Sequence, residues 1–252
     1  MMKYVLITGA SSGIGLASAR RFAQEGWSVI LLARREALLN EIRASLPNSE
    51  CHLVVSGDYS LPETYDKLSQ IIYNKGVTSI DALVNCAAVI GAEPIVGGPL
   101  EQWRKPLDTI LNGAILVSRA VIPYMRNGGR IVHVTSIHGE RAELLSSAYA
   151  TAKAAVNQYM RGLALELADH GILVNAVAPG FVDTPMSSAQ AGTSELESEW
   201  FQNDYVKGRH LPLRRAAQPE EIAGVLYFLC GPDATYITGQ VIVVDGGLTI
   251  TF

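Results

Sequence analysis

A tyrosine and a lysine stand four residues apart in SAYATAKAAVN, a segment that is otherwise small and apolar. The alanine-rich pattern predicts a helix, on which Tyr149 and Lys153 share one face. A free tyrosine has a pKa near ~10 and is no base at neutral pH, but a neighbouring ammonium stabilises the phenolate and lowers that pKa. The pair therefore predicts an acid/base that exchanges a proton with an alcohol or carbonyl oxygen during hydride transfer.

A glycine-rich segment, TGASSGIG, follows the first apolar run and contains Gly9, Gly13 and Gly15. Glycines at these positions allow a sharp turn and let a pyrophosphate approach the N-terminus of the next helix. A tight turn without a ligand is the alternative. The location, at the first strand-to-helix crossover, favours a dinucleotide site.

The second apolar run ends in LLARRE, so neutral Ala33 is followed by Arg34 and Arg35. A carboxylate here would bind the ribose hydroxyl of NAD, whereas a guanidinium can bind the 2′-phosphate of NADP with two hydrogen bonds. We therefore expect NADP(H) rather than NAD(H), unless both arginines are only solvated helix-start residues. Asp58, after the third run, either accepts from the adenine amino group or caps its own loop.

Short β-branched apolar runs alternate along the chain with segments of helical periodicity. This alternation is typical of right-handed βαβ units, and the lack of polar alternation in the runs indicates strands that are buried on both faces. We expect an α/β fold, a Rossmann-type doubly wound parallel sheet of about seven strands with helices on both faces. The predicted strands are 3–8, 28–33, 51–56, 80–85, 129–136, 172–178 and 240–245, and the predicted helices are 14–25, 36–46, 62–74, 107–125, 148–168 and 219–229.

No linker or repeat divides the chain, which predicts one dinucleotide-binding and catalytic domain over residues 1–252. Residues 186–210 form a long insertion beside a strand end, and we expect it to be a substrate lid.

Composition narrows the class of protein. At 252 residues and 48% hydrophobic content, the chain can bury a full core. A formal charge of −4 lacks the basic excess of a nucleic-acid-binding domain, and no run reaches the ~20 apolar residues of a membrane span. Three scattered cysteines predict no disulfide framework and no metal site. We expect a cytoplasmic protein whose partner is a small molecule.

Several motifs in this order resemble the short-chain dehydrogenase/reductase family. They are TGASSGIG, Asn112 in LNGAILVSRA, Ser136 in VTSIHG, the Tyr149 and Lys153 pair, and VNAVAPGFVDTPM, and the resemblance continues through PLRRAAQPEEIAGVLYFL and YITGQVIVVDGG. It implies a Rossmann-type fold, a nicotinamide cofactor and oxidoreductase chemistry on alcohol or carbonyl groups.

The resemblance also implies roles for single residues. Tyr149 would be the acid/base, Lys153 would bind the nicotinamide ribose as well, and Ser136 would orient the reacting oxygen. Asn112 would hold a water that passes protons between Lys153 and solvent, and Thr184, helped by the Val182 backbone, would bond the carboxamide. The other cofactor-binding residues implied are Gly9, Ser11, Ser12, Gly13, Ile14, Gly15, Arg34, Arg35, Asp58, Tyr59, Asn85, Ala87, Pro179 and Gly180.

Several positions depart from the family pattern. NCAA at 85–88 replaces the usual NNAG, so Ala88 stands where a glycine allows close backbone approach. Tyr59 replaces a small aliphatic residue, and His133 replaces a common asparagine. His138, two residues after Ser136, is a candidate substrate contact, as is Trp200 in the insertion.

The motifs together predict an NADP(H)-dependent oxidoreductase that interconverts a ketone or aldehyde with an alcohol. A redox sensor that binds NADP without turnover is the alternative, and a 3-oxoacyl-carrier-protein reductase-like activity is a narrower possibility. For carrier-protein docking the sequence offers only Arg126 and Arg130 as a basic patch. Family members are usually dimers or tetramers, so we expect a homo-oligomer, with the apolar segment VDGGLTITF as a candidate subunit contact.

Overall fold

The computed structural model describes residues 2–91, 94–188 and 194–251. In these residues seven parallel strands form one sheet, in the order β3-β2-β1-β4-β5-β6-β7. The predicted fold class is confirmed, and all seven predicted strands are present. The strands are β1 (Tyr4–Thr8), β2 (Ser28–Ala33), β3 (Leu53–Ser56), β4 (Ala82–Asn85), β5 (Arg130–Val134), β6 (Leu173–Pro179) and β7 (Val241–Val244).

Helices connect the strands and cover both faces of the sheet. They are α1 (Gly13–Gln24), α2 (Glu36–Ser45), α3 (Glu63–Asn74), α4 (Leu100–Pro106), α5 (Gly113–Val121), α6 (Ser147–Glu166) and α7 (Pro219–Cys230). The prediction missed α4, which contains a proline and runs into a π-helical turn over Leu107–Asn112 before α5 begins. Pro106 is the last α-helical residue of α4, and the helical backbone continues past it in the π-helical turn.

Alternate strand residues enter two separate cores. Val5 and Ile7 of β1 point to one face, which is covered by α1, α2 and α7, and Leu6 points to the opposite face, which is covered by α3, α5 and α6. All three side chains are fully buried. Burial on both faces explains the continuous apolar runs of the central strands, whereas the edge strand β7 is only half-buried.

The strand order reverses between β1 and β4, because the chain turns from β1 to β2 on one side and to β4 on the other. Loops diverge at such a point and leave a crevice outside the carboxyl ends of the strands, where α/β proteins bind their ligands. In the part of the chain that the structure describes, no helix combines the length and apolarity needed to cross a bilayer.

Candidate active site

A cleft of about 690 Å³ opens at the carboxyl ends of β1, β4, β5 and β6. The glycine-rich loop and the end of β2 line one half of it, and Ser136, Tyr149 and Lys153 line the other. The topology therefore brings the two motifs of the sequence, the glycines and the tyrosine–lysine pair, into one continuous space.

The glycine-rich loop forms a cradle that side chains would block. Gly9 and Gly13 have φ of +66° and +51°, a region that L-residues rarely adopt. A Cβ on Gly9 would lie 3.0 Å from the backbone nitrogen of Ala87, and one on Gly15 would lie in hard contact with the carbonyl oxygen of Gly9. Helix α1 starts directly behind this loop, carries no acidic residue in its first turn, and is not capped by the Ser12 side chain. Its first N–H groups can therefore bind a phosphate.

Two arginines border the cradle at the end of β2. Arg34 and Arg35 both line the cleft, together with Ser11, Ser12 and Ile14. Arg35 donates a hydrogen bond from Nη2 to Ser11 Oγ at 3.2 Å, which fixes one guanidinium beside the loop. These cations lie where a phosphate on an adenosine ribose would extend from the cradle.

Asp58 caps its own loop, the second of the two roles that the sequence left open. Its Oδ1 accepts from the Ser60 backbone N–H at 2.9 Å and from Ser60 Oγ at 2.7 Å. Burial alone would raise the pKa of Asp58, but these bonds and the charge of Arg34 hold it below the ordinary value. The carboxylate still lines the cleft, so capping does not remove it from reach of an adenine.

Tyr59 and Asn85 serve the scaffold through their side chains. The buried Tyr59 hydroxyl donates to the carbonyl oxygens of Ala87 at 3.0 Å and Ile110 at 3.3 Å. Asn85 does not line the cleft, contrary to expectation; it accepts from Thr8 Oγ1 and its amide lies 3.2 Å from His133 Nδ1. Tyr59 and Ala87 line the cleft, whereas Asn85 does not.

The opposite wall begins where β6 ends. Pro179, Gly180, Val182 and Thr184 all line the cleft, and Val182 pairs with Ala217 in a short parallel bridge that holds the segment. The Thr184 side chain lies 3.1 Å from where a Cβ on Gly13 would stand. Both sides of the cleft therefore close on the start of α1.

Ser136, Tyr149 and Lys153 converge between β5 and α6. Lys153 is 2% exposed and donates from Nζ to the Val134 carbonyl oxygen at 2.9 Å, and its ammonium lies 5.5 Å from the centroid of the Tyr149 ring. Burial lowers the pKa of Lys153 to about 8, partly opposed by Cys86. Ser136 ends the strand region and accepts from the His138 N–H at 3.2 Å. One face of α6 thus presents phenol and ammonium beside a hydroxyl.

The expected depression of the tyrosine pKa is wrong for the structure as it stands. Burial raises the pKa of Tyr149 to about 12; a hydrogen bond with Ser136 acts in the opposite direction, and the charge of Glu195 raises the pKa further. Desolvation penalises the phenolate more than the neighbouring groups stabilise it. At neutral pH Tyr149 is therefore a phenol, which is the form that donates a proton.

Asn112 lies in the π-helical turn between α4 and α5. It is exposed and does not line the cleft. Within the π-helical turn it is Ile110 that points toward α6, where it is buried against Ala152 and Val156. The structure therefore does not bring Asn112 into the cleft with Lys153, and the water-holding role stays a prediction.

The two candidate substrate residues both line the cleft. His138 Nε2 lies 3.3 Å from Glu143 Oε2, and the histidine ring meets the Tyr149 ring edge-on with centroids 5.8 Å apart. Burial lowers the pKa of His138, opposed by Glu143. Trp200 packs at 6.2 Å against Phe181. Part of the expected lid, residues 189–193, lies outside the described residues.

Sequence reasoning missed several residues of the cleft. Glu143 and Glu195 line its substrate end, and Cys86 lies beneath Lys153 and lines it as well. Glu143 lies seven residues after Ser136, so its position shortly after that serine was the available signal. Nothing in the spacing indicated Glu195.

Comparisons with known proteins identify oxidoreductases that the chain resembles in sequence and fold. A family model described as enoyl-(acyl carrier protein) reductase matches residues 9–249. The chain is 38% identical to glucose 1-dehydrogenase of Gluconobacter oxydans, covering 98% of this chain and 92% of that one, and 36% identical to 3-oxoacyl-(acyl-carrier-protein) reductase of Aquifex aeolicus, covering 98% and 97%. The crystal structure of L-sorbose reductase from Gluconobacter frateurii, complexed with NADPH and L-sorbose, superposes with a TM-score of 0.88 at 33% identity, covering 100% and 98%.

Proposed function

Because the chain belongs to the short-chain dehydrogenase/reductase family of oxidoreductases, we propose that it is an NADP(H)-dependent enzyme that interconverts a ketone or aldehyde with an alcohol. One observation carries the proposal. A glycine cradle at a helix N-terminus and the Ser136, Tyr149 and Lys153 group line the same cleft. A dinucleotide bound in the cradle would extend toward the phenol that exchanges the proton.

The residues present fit a dinucleotide. Gly9, Gly13 and Gly15 leave backbone unshielded where a Cβ would otherwise fill the cradle. The uncapped start of α1 supplies N–H donors for the pyrophosphate. Tyr149 and Lys153 lie at the other end of the cleft, within reach of a nicotinamide ribose. Thr184, which lines the opposite wall, supplies a hydroxyl for the carboxamide.

Preference for NADP(H) is supported by charge. Ala33 ends β2 without a carboxylate, and Arg34 and Arg35 follow and line the cleft. A guanidinium binds a 2′-phosphate with two charge-assisted hydrogen bonds, and a ribose hydroxyl gains much less from it. The related L-sorbose reductase was solved with NADPH, which is consistent with this preference.

The mechanism follows from the protonation states of the cleft. When bound, the reduced nicotinamide supplies a hydride to the carbonyl carbon of the substrate. Ser136 holds the substrate oxygen, and Tyr149, protonated at neutral pH, donates its hydroxyl hydrogen to that oxygen. Lys153 stabilises the phenolate left behind, and its bond to the Val134 carbonyl keeps the ammonium beneath the ring.

Two alternatives have weaker support. A sensor without turnover does not need Ser136, Tyr149 and Lys153 to converge, yet all three line the cleft. For a carrier-protein reductase, Arg130 is unsuitable for docking because it is 8% exposed and its guanidinium donates to the Gly129 carbonyl at 3.1 Å. It also lies at the first residue of β5, at the amino ends of the strands, whereas the cleft opens at their carboxyl ends.

The test is absorbance-followed oxidation of NADPH with a panel of ketones and aldehydes, comparing wild type with Tyr149→Phe. Loss of the acid should lower kcat by about 10²- to 10⁴-fold, with the Kd for NADPH changed little. Tyr159→Phe, on the same helix but outside the cleft, is the matched control and should retain activity. Wild-type turnover by Tyr149→Phe would refute the role. NADPH binding by the wild type without turnover of any carbonyl would favour the sensor.

We extend the proposal to assembly and location. Exposed apolar side chains lie near the last strand and helix, including Phe228, Val243 and Ile250, and support a homodimer or homotetramer. Cys51, Cys86 and Cys230 are unpaired, which suits a cytoplasmic enzyme. Light scattering on the purified chain tests the assembly, and a monomer at micromolar concentration would contradict it.

A further inference from the structure

The substrate end of the cleft contains two carboxylates beside the catalytic phenol. Glu143 follows the Ser136 loop, and Glu195 comes from the segment after β6, so distant parts of the chain bring them together. Partial burial raises the pKa of Glu195, and the charge of Glu143 raises it further, so the two groups lie close enough to interact. The charge of Glu195 also acts on Tyr149.

These carboxylates have spare capacity for hydrogen bonds. Among the described residues the Glu195 carboxylate has no hydrogen-bond or ion-pair partner, and Glu143 contacts only His138 at 3.3 Å and Ser146 at 3.5 Å. The His138 Nδ1 atom is buried and, in the same set of residues, also has no partner. A carboxylate only accepts hydrogen bonds, so its natural complement in a ligand is a hydroxyl or an amine.

Other charged groups in the cleft decide whether the ligand offers the carboxylates a hydroxyl or an amine. Lys153 is buried and uses one of its three donors on the Val134 carbonyl, and Lys105 on α4 also lines the cleft. Neither lysine is within ion-pair distance of Glu143 or Glu195 in the described part of the chain. The ammonium groups disfavour a cationic substrate, and the carboxylates disfavour an anionic one. An uncharged substrate that is rich in hydroxyls meets neither penalty.

Trp200 adds an apolar surface to the same end. It is 42% exposed, lines the cleft and meets the Tyr205 ring edge-on at 4.8 Å. The C–H face of a sugar can pack on such a ring while its hydroxyls bond to the carboxylates.

We propose, on the basis of the function proposed above, that Glu143 and Glu195 select an uncharged, polyhydroxylated carbonyl substrate, a sugar by chemical class, which reduction converts to a polyol. Charge-assisted hydrogen bonds from the substrate hydroxyls to the two carboxylates hold the substrate in place while Ser136 and Tyr149 bind its reacting oxygen. A carboxylate on the substrate would meet Glu195 next to Tyr149 and is rejected.

The experiment compares three six-carbon ketones: a ketohexose, 2-hexanone and 5-oxohexanoate. Calorimetry on the enzyme with NADP⁺ gives Kd, and NADPH oxidation gives kcat/KM. Glu195→Gln and Glu143→Gln should each weaken ketohexose binding by about 5- to 10-fold, because each replaces a charged acceptor by a neutral one at an exposed rim. Both should improve binding of 5-oxohexanoate, and both should weaken binding of the ketohexose more than binding of 2-hexanone, which offers the carboxylates no hydroxyl. Glu197→Gln and Glu140→Gln, neighbours that do not line the cleft, are the matched controls.

The outcomes separate this inference from the proposed function. Turnover of other carbonyls without a preference for the ketohexose over 2-hexanone and 5-oxohexanoate would overturn the inference and leave the oxidoreductase standing. So would variants whose Kd values for the ketohexose match those of the controls. Absence of turnover with all carbonyls would refute the oxidoreductase, and ketohexose binding by calorimetry would still support or overturn the selection by Glu143 and Glu195.

Discussion

Substitution of Gly15 by alanine should separate cofactor binding from folding. Gly15 has no positive φ, so alanine fits its backbone conformation. Its Cβ, however, would be in hard contact with the Gly9 carbonyl oxygen and 2.7 Å from the Gly9 carbonyl carbon. Both neighbours are backbone atoms of the cradle and cannot rotate away. The first turn of α1 must therefore move off the loop.

The size of the movement follows from ordinary contact distances. Carbon atoms pack at about 3.5 to 4 Å, so the 2.7 Å contact requires a shift of roughly 1 Å. Overpacking of this kind costs about 1–3 kcal/mol of stability. The same shift displaces the α1 N–H donors from the pyrophosphate, and we expect the Kd for NADPH to rise at least about tenfold, or ~1.4 kcal/mol.

The assay is NADPH fluorescence titration at a temperature where the variant is folded, with thermal melts alongside. Gly26→Ala is the matched control, because Gly26 has φ of +79° and nothing within 4 Å of its Cβ position. It should lose ~1 kcal/mol of stability through backbone strain alone and keep the wild-type Kd. A folded Gly15→Ala variant that binds NADPH like the wild type would refute the cradle.

Three further predictions concern the cofactor preference, the role of Asn112 and the dependence of the rate on pH. Arg34→Ala should raise the Kd for NADPH by about 10- to 100-fold and that for NADH by less than about threefold, measured by the same titration; equal losses would contradict 2′-phosphate binding. Asn112→Ala should keep kcat within about twofold of wild type in the NADPH assay, since Asn112 is exposed outside the cleft, and a large fall would restore its proposed catalytic role. Alcohol oxidation needs the Tyr149 phenolate, so with a pKa of about 12 its kcat/KM should rise about tenfold per pH unit from pH ~6 to ~8, whereas reduction should not rise. A flat oxidation profile over that range would mean that the bound cofactor and Lys153 lower the tyrosine pKa below it.

Local periodicity predicted most of the framework. Strands that are buried on both faces appear in the sequence as uninterrupted apolar runs. The prediction for β2 has the same bounds as the strand in the structure, Ser28–Ala33. The missed helix α4 shows the limit, because a proline at its end argues against helix when read alone.

Asn112 lies in a π-helical turn and outside the cleft. Sequence periodicity assumes about 3.6 residues per turn, and a π-helical turn changes the phase of the side chains that follow. Across Leu107–Asn112 this turns Ile110 toward α6 and leaves Asn112 exposed. A motif match by spacing cannot detect that change, because it depends on which backbone hydrogen bonds the helix forms.

The sequence alone determined that Tyr149 and Lys153 share a helix face and that a glycine loop opens the first crossover, because both follow from short-range spacing. Only the tertiary structure decided the sign of the Tyr149 pKa shift, since burial depends on what covers the ring and here outweighs the hydrogen bond with Ser136. It also brought Glu143, which precedes β6 in the chain, and Glu195, which follows β6, into the cleft that Tyr149 lines. Charges that meet through the fold leave no spacing signal in the chain.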